Sequence, residues 1–392
     1  MAQPVAAGAE TAIGTADPGG STGIPWLRVV AGVIATVVAL WLPFNYNPDT
    51  NTLFAQVFYL AIAAMGLNLL TGFNGQVSIG HGAFFGVGAF TSAILVVDHG
   101  WMIEATIPIA AILAAALGVV IGFPALRVKG LYLALITLGL AVLFPRVTAK
   151  FVEGPGGVPL LQPSRSEVAS YFPDVLDDDQ YRYFLCLAIM VLLFVAASNL
   201  MRSRAGRSMI AVRDQEVAAS TVGVNVAGVK VASFALSAAY AGVAGSLSVL
   251  VDRVADASNP LIYFQRSIEF LIAVVIGGAA TITGPLLGAA FLVFIRKRFE
   301  DTEALAPALL GGSLMVVIYV LPDGLVGGYR RIVARLRRRT VATPPGAGGS
   351  SGGGPGGGSG GGGTTPPILE RSPGDPGGET PAGSPGDAPQ RT

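Results

Sequence analysis

Charge is what this 392-residue chain has least of, with Asp, Glu, Lys and Arg together making up 12% against roughly 25% in an ordinary soluble domain. Hydrophobic residues make up 52% and the mean hydropathy is +0.62. These values exclude a simple soluble globular domain, and the apolar content also excludes a disordered chain. A net charge of +1 offers no basic surface for nucleic acid. One cysteine, Cys186, excludes a disulfide framework, and with only His81 and His99 beside it no zinc cluster is expected. Lysine is scarcer still: Lys129, Lys150, Lys230 and Lys297 are followed by Gly, Phe, Val and Arg. A phosphate-binding loop needs G-x-x-x-x-G-K-[ST], where backbone N–H groups cradle the phosphates and the lysine neutralises them. None of the four lysines fits, so the chain itself is expected to bind no ATP. A polytopic membrane protein remains.

The two ends differ from the middle. Residues 1–24 carry no Lys or Arg and so lack the basic region of a secretory signal; they read as a disordered leader. Residues 341–392 hold 18 of the 53 glycines and 10 of the 26 prolines. So little apolar surface does not offset the entropy of ordering a chain, and a flexible tail is expected. Residues 25–340 are then the working domain.

Crossing about 30 Å of hydrocarbon at about 1.5 Å per residue takes ~20 apolar residues. Runs of that kind lie near 26–44, 52–71, 79–97, 105–124, 128–146, 181–200, 230–251 and 307–321. A further run, 266–298, is too long for one ordinary span, and its glycines and Pro285 invite a break. Charge asymmetry discriminates between one crossing and two. With Arg127, Lys129 and the Arg-rich 201–230 loop placed in the cytoplasm, two crossings give 14 Lys/Arg inside and 9 outside. One crossing gives 11 inside and 12 outside, and puts the Arg330–Arg339 cluster on the wrong face. Ten spans with both termini cytoplasmic are therefore expected, with Arg296, Lys297 and Arg298 the awkward residues left outside. The long outer loop, 147–180, carries Glu153, Glu167, Asp174 and Asp177–Asp179; it is either a solvated loop or an acidic surface that steers a docking partner.

Inside these spans almost nothing ionises. Glu104 and Glu269 sit at span ends and His81 at a span start. No chain of acidic or histidine relays serves proton coupling, and no arginine-rich helix serves as a voltage sensor. Nor do the spans offer a nucleophile–base pair, so an enzyme is disfavoured. If the chain transports anything, the energy is expected to come from another polypeptide.

Three stretches depart from plain lipid-facing sequence. In 66–90, GLNLLTGFNGQVSIGHGAFFGVGAF, glycines alternate with Asn68, Asn74, Gln76, Ser78 and His81. Amides and glycines at membrane depth suit a broken helix whose freed backbone lines a cavity, and the Gly82/Gly86 spacing suits close helix packing. Either a translocation pathway or packing alone accounts for the stretch. The second, GGAATITGPLLG at 277–288 with Thr281 and Thr283, faintly repeats the Ser78–Gly86 pattern, and paired interrupted helices often meet at a transporter's substrate site. The third, 201–230, is too polar to cross, yet Met209, Val212, Ala219 and Val222 have helical apolar spacing over 208–221. An amphipathic helix on the cytoplasmic surface follows. Its arginines either hold lipid phosphates or belong to a handle for a cytoplasmic motor.

Read together, 66–90, LRVKGLYLALITLGLA (126–141), EGPGGV (153–158), 206–226, 230–247, 268–292 and LPDGLVGG (321–328) resemble the permease subunits of ATP-binding-cassette importers for branched-chain amino acids. The likeness is to the longer of their two permease types. The resemblance implies an all-α transmembrane bundle in a bacterial inner membrane. It also implies a sister permease subunit, two cytoplasmic ATPases that hold ATP and Mg²⁺, and an extracytoplasmic solute-binding protein. In such permeases an E-A-A-x-x-x-G element forms a coupling helix that docks on the ATPase. Here it corresponds to Glu216, Ala218, Ala219 and Gly223, with Val217 interposed and Arg213 and Asp214 flanking. Asn68, Asn74, Gln76, Ser78, His81, Thr281 and Thr283 are the candidate pathway residues. A same-family permease for urea, short amides or aromatic acids, or a passive channel, stays open at this level.

Overall fold

The computed structural model describes residues 39–126, 131–152, 160–161 and 177–299, together with 311–312, 315, 319, 324–328 and 331. The leader, the tail, Arg127, Lys129, most of the 147–180 loop, Arg330 and Arg335–Arg339 lie outside the described residues. So do most of the expected spans at 26–44 and 307–321, and the count of ten is not read from the structure.

The chain forms an all-α bundle. Its helices are α1 (Pro48–Leu67), α2 (His81–Val97), α3 (Ile103–Ala125), α4 (Leu131–Phe151), α5 (Asp178–Arg202), α6 (Arg204–Asp214), α7 (Glu216–Thr221), α8 (Val226–Asp252), α9 (Ile262–Gly277) and α10 (Gly284–Phe299). Among the described residues five, α1 with its extension, α3, α4, α5 and α8, are long and apolar enough to cross a membrane; α2 is apolar but shorter. Among the described residues one pair of strands, β1 (Leu160–Leu161) and β2 (Ala255–Asp256), is antiparallel and two residues long.

Helix α8 is the axis of the bundle. It is buried almost continuously from Ser237 to Val251, the signature of a helix surrounded by others. Small residues let its neighbours approach: Gly242 meets Ala110 and Ala114 of α3, while Gly245 meets Phe85 of α2. Buried hydroxyls add polar links there, with Ser92 2.6 Å from Ser246 and Thr106 2.8 Å from Ser92. The outer helices instead expose apolar side chains, among them Ile112, Val120, Leu143 and Leu192, as a lipid-facing surface requires.

The bundle has two chemically distinct ends, about 40 Å apart along the 27 residues of α8. One carries Arg202–Lys230. At the other, Asp178 pairs with Arg182 and with Arg253 (2.5 Å), Asn51 donates to Asp179 (2.7 Å), and Tyr181 donates to Glu104.

The long 266–298 run is broken. Helices α9 and α10 form an antiparallel hairpin in which Gly277 faces Gly284 and Gly288 faces the Ala273 carbonyl. Its turn takes Gly278 to φ 110° and Ala280 to φ 57°. Each arm has 16 residues, about 24 Å, short of a full hydrocarbon thickness. Both outer ends lie with the Asp252 end: Arg296 pairs with Glu269 (2.6 Å) and Phe294 stacks edge-on against Phe54 (5.6 Å). Of the awkward basic run at 296–298, Arg296 is thus held by a carboxylate one arm away, Glu269, which Arg266 shares.

Candidate functional site

The polar residues of 66–81 do not form one cluster; the fold distributes them over three environments. Nearest the middle of the bundle, α1 passes into a π-helical turn, Asn68–Phe73. Asn68 is fully buried and grips the hairpin turn from both sides of its amide: Nδ2 donates to the Thr281 carbonyl (2.8 Å) and Oδ1 accepts from the Ala280 N–H (2.9 Å). Gly72 makes this possible, since a Cβ there would collide with Asn68 Oδ1 and lie 2.6 Å from the Ala280 nitrogen. The Thr281 hydroxyl donates to Gly278 (2.6 Å) and accepts from the Gly284 N–H (3.1 Å), closing the turn. The structure therefore brings the two interrupted segments together at Asn68 and Thr281. Thr283 is exposed at the start of α10 and does not join them.

His81 opens α2 and points into the core. One ring nitrogen lies 3.1 Å from the Ala63 carbonyl and the other 3.4 Å from Ser237 Oγ, with Phe270 edge-on to the ring. It ties α1, α2 and α8 together.

Residues 74–80 run without helix at the Arg-rich end. Gln76 donates to the Lys230 carbonyl (3.3 Å). Asn74 and Ser78 are buried, yet the Asn74 amide and the Ser78 hydroxyl have no protein partner among the described residues. Groups of this kind mark segments that hold water or exchange partners.

Against this segment packs the expected amphipathic element. A single helix over 208–221 is replaced by two, α6 and α7, because Gln215 is extended (φ −154°, ψ 102°). Met209, Val212 and Ala219 are buried as expected, but the break rotates the C-terminal part, and Val217 and Val222 are 75% and 79% exposed. Arg213 links the element to the bundle: Nη1 donates to the Gly72 carbonyl (3.1 Å) while Nε holds Asp214 (2.9 Å). Gly75, at φ 74°, lets the backbone pass 2.7 Å from the Arg213 side chain, measured from where a Cβ would stand. Glu216 does not point outward as a free anchor; it pairs with Lys230 Nζ at 2.8 Å. Ala218 lies exposed on α7, and Gly223, exposed at φ 85°, ends it.

An unbroken chain of contacts therefore runs from α7 through Glu216–Lys230 and from α6 through Arg213 to Gly72, Asn68 and the hairpin turn. Lys230 was missed on sequence grounds, since nothing local to it announces Glu216 as its partner.

A profile of the family described as "Branched-chain amino acid transport system / permease component" matches residues 50–319. The chain belongs to that family. The permease is 30% identical over 315 residues, 75% of this chain and 74% of the other, to the "High-affinity branched-chain amino acid transport system permease protein LivM" of Escherichia coli (strain K12). It is likewise 30% identical over 311 residues to LivM of Salmonella typhimurium, covering 74% of this chain and 73% of that one. To LivH of Escherichia coli it is 25% identical over 289 residues, 68% of this chain and 91% of that one. No solved structure matches the permease significantly. Family and apolar helices together make it an integral membrane protein.

Proposed function

We propose that the permease is one membrane subunit of an ATP-driven importer of branched-chain amino acids in a bacterial inner membrane. The family match over 50–319 carries this reading. A sister permease completes the pore. ATP and Mg²⁺ are held by separate cytoplasmic subunits, and an extracytoplasmic binding protein delivers the substrate.

In this reading the Arg-rich end faces the cytoplasm and α6–α7 meets the ATPase through Val217, Val222 and the exposed part of α7. Closure of the ATPase on ATP pushes this element. Arg213 transmits the displacement to Gly72, and the Glu216–Lys230 pair transmits it to the base of α8. The π-helical turn then shifts Asn68 against the hairpin, exchanging outward for inward access along the segment that carries Asn68, Asn74, Gln76, Ser78 and His81. The bareness of the spans supports an external energy source, since an ion-coupled carrier needs titratable groups at depth.

The test is co-purification followed by reconstitution. The permease is expected to bring down an ATPase subunit and, with it, to accumulate labelled leucine in proteoliposomes only with ATP present. Glu216→Lys sets two cations face to face at Lys230 and is expected to abolish uptake while membrane insertion persists. Normal uptake and normal ATPase association in that variant would refute the coupling role of α7.

A further inference from the structure

Where α5 ends and α8 begins, beside α6, the structure holds a cavity of about 330 Å³, at the lower edge of the range of about 300–1,000 Å³ typical of small-molecule sites. Leu200 of α5, Ala205 and Met209 of α6, and Val229 and Leu236 of α8 line it. Asn225 and Ser233, the polar residues in its wall, are turned back on their own backbone: Ser233 Oγ donates to the Val229 carbonyl (2.7 Å) and Asn225 Oδ1 accepts from the Gly228 N–H (2.9 Å). The wall is therefore apolar and offers little to a polar ligand. Ala205, Gly228 and Ala232 are exposed, so the cavity opens at the surface. It lies one to two turns along α5 from Leu192 and Val195, which belong to the lipid-facing surface.

The edge of this cavity is basic. Segment 201–230 carries five cations, Arg202, Arg204, Arg207, Arg213 and Lys230, against two carboxylates, Asp214 and Glu216. Arg213 takes Asp214 and Lys230 takes Glu216, each at 2.8 Å. The excess positive charge stays with Arg202, Arg204 and Arg207, which are exposed and have no carboxylate partner among the described residues. Arg207 Nη1 donates to the Arg202 carbonyl (3.1 Å), which folds it back over the end of α5, and Arg204 stands next to Ala205 in the cavity wall. An apolar cavity with a cationic edge complements a molecule with an apolar tail and an anionic head. Its volume takes part of one acyl chain, and it opens beside a lipid-facing flank.

We propose that an anionic phospholipid of the cytoplasmic leaflet occupies this site, with one acyl chain in the cavity and its phosphate on Arg202, Arg204 and Arg207. The lipid braces the coupling element. Without a chain in the cavity, Ala205 and Met209 have no atoms facing them there, and α6 gives when pushed. With the cavity filled, α6 bears on α8 and its displacement reaches Arg213 and Gly72. The inference rests on the permease reading and deepens it by naming what stiffens the coupling element.

Native mass spectrometry tests the site on the full complex, stripped of lipid and titrated with phosphatidylglycerol, phosphatidylcholine or glycerol 3-phosphate. Two variants address its two halves. Combined Arg202→Gln, Arg204→Gln and Arg207→Gln removes the cationic edge, and Ala232→Phe fills the cavity from an exposed position on α8. The parent is expected to retain one more phosphatidylglycerol than either variant. Affinity is expected to fall about a hundredfold without the arginines and about tenfold with the cavity filled. Phosphatidylcholine, without net charge, and glycerol 3-phosphate, without tails, are expected not to bind there. Co-elution with the sister permease shows that each variant is folded. Unchanged retention by the arginine variant, or glycerol 3-phosphate bound as tightly as the lipid, overturns the proposal. So does unchanged retention by Ala232→Phe, and loss of the ATPase in that variant would identify an ATPase side chain as the occupant instead. Transport is read separately. In vesicles of phosphatidylcholine and phosphatidylglycerol in equal parts, the parent is expected to import several-fold more leucine per ATP than in phosphatidylcholine alone, and neither variant to show that gain. An equal gain in the variants, or none in the parent, overturns the bracing role. Absence of uptake in every vesicle overturns the permease reading and leaves the lipid count standing.

Discussion

Asn68 shows how one amide can determine the position of a whole hairpin. Its two hydrogen bonds reach Ala280 and Thr281, more than 200 residues away in sequence, and both target groups belong to a backbone turn that no helix satisfies. Asn68→Ala strands a buried N–H and a buried C=O, each costing about 1–3 kcal/mol, and is expected to lower the unfolding temperature of the detergent-solubilised permease. Asn68→Asp keeps the acceptor for Ala280 but buries a carboxylate and sets its second oxygen against the Thr281 carbonyl, so its melting point is expected to fall at least as far as that of the alanine variant. Arg213 plays the complementary part at the bundle surface. Its guanidinium holds a carbonyl and a carboxylate together, which the single ammonium of Arg213→Lys does not reproduce. That variant is expected to hydrolyse ATP with its partner but to import several-fold less leucine per ATP, measured by paired uptake and phosphate release.

At the level of elements, two breaks matter more than any helix. The extended Gln215 turns one amphipathic helix into α6 and α7, burying Met209 and Val212 while leaving Val217 and Val222 outside. A partner groove that covers those valines would not tolerate a charge, so Val217→Glu or Val222→Glu is expected to weaken ATPase co-elution about tenfold, the loss of a contact worth about 1.4 kcal/mol, with insertion intact. The second break, 278–283, lets α9 and α10 fold back on each other. Close approach there depends on the absence of side chains, since a Cβ at Gly288 meets the Ala273 carbonyl. Gly288→Ala is expected to destabilise the hairpin by about 1–3 kcal/mol through overpacking, read as a lower melting temperature and faster proteolysis near the turn.

At the level of the whole molecule, charge is sorted to the two ends. The Arg202–Lys230 segment occupies one, and the ion pairs of Asp178 and Glu269, with the hydrogen-bonded carboxylate of Asp252, occupy the other. The topology this supports has a plain consequence for accessibility. In right-side-out vesicles a membrane-impermeant maleimide is expected to label Lys297→Cys directly and Arg207→Cys only after permeabilisation, with Cys186 silent throughout because it is buried. Labelling of both from one side would remove the hairpin's return to the Asp252 end.

Much of this was legible along the chain. Scarce charge, apolar runs of membrane length, the break at 277–288 and the Arg-rich loop are local properties, and hydropathy, glycine content and charge act over a few neighbouring residues. The proposal of an outside energy source starts from the same scarcity, since an ion-coupled carrier needs titratable groups at depth. Glu216 as partner of Lys230, Arg213 as the link to Gly72, Asn68 as the clamp on the hairpin, and Glu269 as the counter-charge to Arg296 were decided by the tertiary structure alone. Each joins elements that only packing brings together, and a buried polar atom takes whichever partner the neighbouring backbone leaves within about 3 Å. Thr283 and Val222 make the same point in reverse: both fit a pattern in sequence, and a turn of backbone left each of them in the open.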